Sequence, residues 1–180
     1  MKAFIFGLSL TMILSMSVAG ASATPKVVAS VYHDACGYYS ATLADLHITY
    51  SGPLESGARV FLKYTHVGHT LSYDSAGKLI EIPFGWNYPT EVEMTATGPG
   101  VREIDLELGL RSRGSNNFTD KLGFVFHIVL PNGEYWDNGF QSTWGSYEAA
   151  FPAGNIQCWD RDPAHKPVPI ELPIVIVNKY

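Results

Sequence analysis

The stretch LGFVFHIVLPNGEYWDNG, from Leu122 to Gly139, leaves the chain few folds to choose from. Leu122, Phe124, Phe126, Ile128 and Leu130 fall on one face of an extended segment, and Gly123, Val125, His127 and Val129 on the other. A period of two is a strand, and two largely apolar faces need cover on both sides. Pro131-Asn132-Gly133 is a tight turn, because Asn and Gly accept the positive φ that hairpins require. Glu134 starts the return strand, which ends at Trp136-Asp137-Asn138-Gly139, a bulky anchor followed by turn formers. Asp137 and Asn138 are expected to fix that turn through side-chain to backbone hydrogen bonds. A hairpin of this kind is stable only inside a larger β structure.

The rest of the chain supplies one. Alternating or β-rich segments run over Val27 to His33, Asp45 to Tyr50, Ala58 to Gly68, Lys78 to Phe84, Glu91 to Thr97, Arg102 to Leu110 and Ile170 to Val177. Within Glu91 to Thr97, the side chains of Val92, Met94 and Ala96 are expected to face inward. Glu103, Asp105 and Glu107 line one side of Arg102 to Leu110 and read as a solvated face, which also guards against aggregation. Ser51-Gly52-Pro53 and Thr97-Gly98-Pro99-Gly100 mark turns, Arg111 to Asp120 reads as a polar loop, and Ala149 to Pro169 is loop-rich. About nine short strands with regular turns indicate an all-β, antiparallel sandwich.

Met1 to Ala23 has the form of a secretory signal: Lys2, a mostly apolar run, then Ala21-Ser22-Ala23 in the small-x-small pattern. The expectation is cleavage after Ala23, a secreted or periplasmic protein, and one domain over residues 24–180. The net charge of −5 and the lack of a basic run argue against nucleic acid as a partner, and, once the signal is removed, against a membrane. Cys36 and Cys158 are the two cysteines, and an exported chain with such a pair usually joins them. Closing that long a loop is worth roughly 4–5 kcal/mol in the chain-entropy model. His66 and His69 are spaced like metal ligands, but they stand on strand and loop with no third ligand cluster, so no metal or other cofactor is expected.

Gly85-Trp86-Asn87-Tyr88-Pro89 is a loop holding two aromatics. An exposed Trp or Tyr face stacks on the apolar face of a pyranose ring, and the Asn87 amide both donates and accepts hydrogen bonds to hydroxyls. The competing reading is that Trp86 caps the core. Trp144, close to Gln141, is a second candidate platform.

Phe124-Val125-Phe126, the Asn-Gly turn and Trp136-Asp137-Asn138 with Gly139 resemble the motif of starch-binding modules of carbohydrate-binding family twenty-five and the related modules of starch synthases. Trp86 to Met94 (WNYPTEVEM) and Arg102 to Gly109 (REIDLELG) are similar to the family's preceding segments, so the likeness covers about residues 58–147. Three features depart from the pattern: Gly139 replaces the second Asn, Tyr147 stands further along, and Gly98-Pro99-Gly100 occupies a place where related modules carry a second stacking Trp. The resemblance implies an immunoglobulin-like sandwich with N- and C-terminal extensions, an α-glucan ligand, and a sugar-contacting His on the strand before Trp86, a place that His66, His69 or Lys63 can fill.

The expected function is a secreted, non-catalytic carbohydrate-binding protein whose partner is a polysaccharide or oligosaccharide. The alternative is a secreted or periplasmic structural or protein-interaction sandwich without sugar binding. A glycosidase needs two carboxylates set across a cleft, and the sequence offers no such pair.

Overall fold

The computed structural model describes residues 23–35, 40–139, 145–153, 156–159, 162 and 165–178. Two sheets pack face to face as an all-β sandwich, almost entirely antiparallel. The first sheet, A, contains β1 (Lys26–His33), β2 (Thr42–Ser51), β6 (Thr95–Gly98), β7 (Val101–Arg111), β11 (Gln157–Cys158) and β12 (Ile170–Glu171). Its order is β11-β1-β2-β7-β6, with β12 also on β1, and β11 runs parallel to β1. The second, sheet B, contains β3 (Arg59–Tyr73), β4 (Leu79–Phe84), β5 (Thr90–Glu93), β8 (Asn117–Leu130), β9 (Gly133–Asp137), β10 (Gly145–Ala150) and β13 (Ile174–Asn178). Its order is β13-β10-β8-β3-β4, with β5 on β3 and β9 on β8.

The alternation along Leu122–Leu130 decides which residues form the core. Leu122, Phe124, Phe126 and Ile128 are fully buried between the sheets and meet Ile48 and Tyr50 of β2. Phe124 stacks on Tyr147 at 5.3 Å, and Phe126 meets Tyr50 edge-on at 4.9 Å. Burying each such aromatic contributes roughly 1.5–3 kcal/mol. Polar groups close one end of this core. The Asp137 carboxylate accepts hydrogen bonds from the Tyr147 hydroxyl (2.8 Å), the Gly139 amide (3.1 Å) and the Ala23 amide (2.7 Å). Tyr50 is hydrogen-bonded to Tyr135, and its hydroxyl is pushed well above the ordinary tyrosine range, first by burial and then by Tyr135, Asp137 and Tyr147.

Four segments differ from the sequence reading. Glu91 to Thr97 is not one strand: the chain leaves sheet B at Glu93 and enters sheet A at Thr95. Between them Met94 donates its amide to the Val60 carbonyl and buries its side chain, a flexible plug that suits the irregular gap at the sandwich edge, while Ala96 is exposed. Ile170 to Val177 is likewise split, because Pro173 has no amide to donate and Leu172 turns into the core. The strand that starts near Ala58 runs on to Tyr73, so both His66 and His69 lie within it. Its passage beyond Val67 needs Gly68, where any Cβ would overlap the Phe118 carbonyl. Because β3 extends, β8 begins at Asn117 and takes up the end of the expected polar loop, with the Thr70 hydroxyl donating to the Asn117 side chain at 2.7 Å.

Removing the Asp137 carboxylate strands the Tyr147 hydroxyl and the Gly139 amide, and also the Ala23 amide in a chain that retains that residue. Asp137→Ala is expected to cost about 3 kcal/mol in denaturant unfolding and Asp137→Asn less, since the amide oxygen still accepts. Equal stability of Asp137→Ala and the parent chain would contradict this account of the closed end.

Candidate functional site

Strand β3 has two partners along one edge. Phe61–Tyr64 pairs with β5 and Gly68–Tyr73 with β4. The residues joining those partners, 85–89, therefore fall beside Thr65–Val67, where that edge of β3 carries no strand. In this loop Trp86 has φ 32° and Tyr88 φ 56°, the two positive-φ residues other than glycine among those described. Left-handed backbone costs such residues on the order of 1–3 kcal/mol each and persists only where the surroundings impose it. The Trp86 ring provides one such restraint. Its Nε1 is 3.3 Å from the point a Cβ on Gly123 would occupy, and methyls of Val67 and Thr65 lie 3.0 and 3.5 Å from the same point. The indole thus rests on the outer face of sheet B, over a glycine that leaves room for it. Asn87 is exposed, and Tyr88 projects with 97 % of its surface open.

Gly123, Val125 and His127 share that outer face, and a rise of about 3.3 Å per residue sets His127 roughly 13 Å from Gly123. Directly opposite His127 on β9 stands Trp136, its ring stacked on the imidazole at 4.2 Å and 10°. The Lys63 ammonium lies 5.0 Å from the Trp136 ring centre, with the buried Val125 between the two strands. His127 Nδ1 meets Glu91 at 3.2 Å and Nε2 meets Glu134 at 3.1 Å. Trp136, read from the sequence as a bulky anchor, keeps 44 % of its surface exposed. Its pairing with His127 on the outer side follows from β9 register, whereas Asp137, one residue on, faces inward. Asn138 is buried beside it.

The two candidate histidines have partners on β8. His66 pairs in register with Leu122, so it lies on the face of sheet B opposite Trp86; its Nδ1 is 3.2 Å from the Thr119 hydroxyl. His69 Nδ1 meets Asp120 at 2.7 Å, and its ring stacks on Phe118 at 5.1 Å. The structure thus brings together Trp86, Asn87 and Tyr88 in one loop, with Trp136 on the same side of sheet B, and directs His66 to the other side. His127, Glu91 and Glu134 join that outer face without having been singled out. The signal for His127 was an imidazole inside an otherwise Gly/Val row. Trp144 and Cys36 lie outside the described residues. Cys158 stands in β11 opposite His33. Among the described residues no group of three or more His, Cys, Asp or Glu side chains is arranged to hold a metal ion. No known protein family, curated protein or solved structure matches the chain.

Burial lowers the His66 pKa below its usual value of 6.5. The unfolded chain therefore binds this proton more readily than the folded one, and the resulting loss of stability sets in as pH falls through about 6.5. His66→Gln should flatten the decline in stability below that pH, by at most about 1.4 kcal/mol per pH unit. Parallel pH profiles for the two proteins would exclude the effect.

Proposed function

We propose that this chain is a secreted, non-catalytic carbohydrate-binding protein that takes an α-glucan on the outer face of sheet B. The observation that carries the reading is the Gly85–Pro89 loop, which holds Trp86 and Tyr88 in strained left-handed backbone and presents Tyr88 almost fully to solvent. Strained backbone of this kind clusters at ligand sites. Aromatic faces, with the Asn87 amide beside them, suit a pyranose, whose rings offer C–H faces and hydroxyl rims. Trp136 adds a half-exposed aromatic on the same side, with Lys63, Glu91 and Glu134 as a polar border. The choice of α-glucan rests on the resemblance to starch-binding modules. The reading needs no catalysis, and the carboxylates nearest Trp136 are engaged with His127.

Retention of the mature protein on insoluble starch, cellulose and chitin tests this. Starch alone should retain it. Trp86→Ala and Tyr88→Ala should each weaken retention roughly 30-fold, as losing an aromatic anchor of about 2 kcal/mol does, with little dependence on salt. Failure to bind any of the three would reject the sugar reading in favour of a protein-interaction sandwich.

Export brings with it a bond between Cys36 and Cys158. The parallel pairing of β1 with β11 sets Cys158 opposite His33, three positions before Cys36. Alkylation of the exported, unreduced chain should add no mass, and reduction first should expose two thiols; labelling without reduction would refute the bond.

A further inference from the structure

Edge strands invite pairing with other chains, and folded proteins blunt them with charge, proline, bulges or shortness. Most edges of this sandwich carry such a device. β4 has Glu81 and Pro83, β5 has Glu91 and Glu93, and β9 has Glu134 and Asp137. β6 is four residues long and bulged, while β11 and β12 are two residues each. β13, reading IVIVN, has none of these. Val175 is 52 % exposed and Ile176 47 %. Within β13 there is no charge; around it, Glu171 is neutralised by Lys26 at 3.0 Å, and Lys179 follows the strand directly in sequence.

The backbone of β13 is also set for another strand. Ala150 donates its amide to the Pro173 carbonyl at 3.3 Å, and Ala149 stands opposite Ile174. Bonded and non-bonded pairs alternate along an antiparallel ladder. The bonded pairs with β10 are therefore Glu148 with Val175 and Ser146 with Val177. The N–H and C=O groups of Ile174, Ile176 and Asn178 consequently point away from β10.

We infer that β13 is a dimer contact, pairing antiparallel with β13 of a second copy about a twofold axis at Ile176. That register sets Ile174 against the partner's Asn178 and Ile176 against the partner's Ile176, and it uses all three outward-facing residues of each chain. A second copy suits this edge better than a different partner because the segment is uncharged and apolar on both faces. It opposes itself without repulsion, although the whole chain carries a net charge of −5. One strand pair buries less than about 1,200 Å², the weak end of specific interfaces, so the dimer should form at tens to hundreds of micromolar.

Analytical ultracentrifugation from about 5 to 500 µM reads this directly. The parent chain should pass from monomer to dimer across that range. Ile176→Pro removes an outward amide while keeping the bonds to β10, and Val175→Lys places a charge on the exposed outer side of the strand. Both should stay monomeric, with at least a tenfold weaker association. If Ile176→Pro fails to fold, Val175→Lys decides, since its side chain lies outside the core. A parent chain that is monomeric at the highest concentration overturns the inference, and so does a dimer that survives Val175→Lys.

Discussion

The long antiparallel ladder between β3 and β8, from Arg59 opposite Val129 to Thr70 opposite Asn117, is the constraint on which the other parts rely. It fixes which side of each residue faces the core. A slip of one position would turn Gly123 and Val125 inward and put Leu122 and Phe124 into solvent. The ladder is held in register by burial on its inner side, where Phe124, Phe126 and Tyr147 pack as an aromatic cluster. Everything on the outer side, from the Trp86 seat to the Trp136–His127 stack, takes its position from that inner packing.

How far the sequence disclosed this depends on the feature. Period-two alternation is a local property, and it correctly gave the Leu122–Leu130 part of β8, β7 and the inner residues of β2. It does not say what covers the second face of a strand, which is a matter of tertiary contact. The outer row of β8 therefore read as a second buried face, although Val125 is the one of its side chains that is buried and His127 meets solvent-exposed carboxylates. The same limit left open which way Trp136 faces. A hydrophobic run also hides sheet changes: Met94 and Leu172 look like ordinary members of alternating segments, yet each marks a crossing between sheets. The loop at 85–89 was legible from its Gly and Pro brackets. The left-handed backbone of Trp86 and Tyr88 was not, because nothing in an aromatic side chain requests it.

Strain in that loop is compatible with the marginal stability of a domain because it is offset elsewhere. Two left-handed residues cost on the order of 1–3 kcal/mol each, a sum comparable to the burial of one or two core aromatics. Under the proposed function, such a surface would be ordered before any ligand arrives, which avoids the entropy of immobilising a loop on binding. The fixed indole over Gly123 and the Asp137 junction beneath Tyr147 are both rigid supports of that kind.

The arrangement of β4 and β5 on a single edge of β3 has a consequence for how such a surface changes over time. The loop between them leaves the sheet and returns to it without contributing a rung to the ladder. Residues can be gained, lost or exchanged there while both flanking strands keep their partners, since long surface insertions cost little in closure entropy. On the proposed sugar-binding reading, recognition could thus be retargeted by a handful of codons with the scaffold untouched, and a designer grafting new loops onto this sandwich would begin between Phe84 and Thr90.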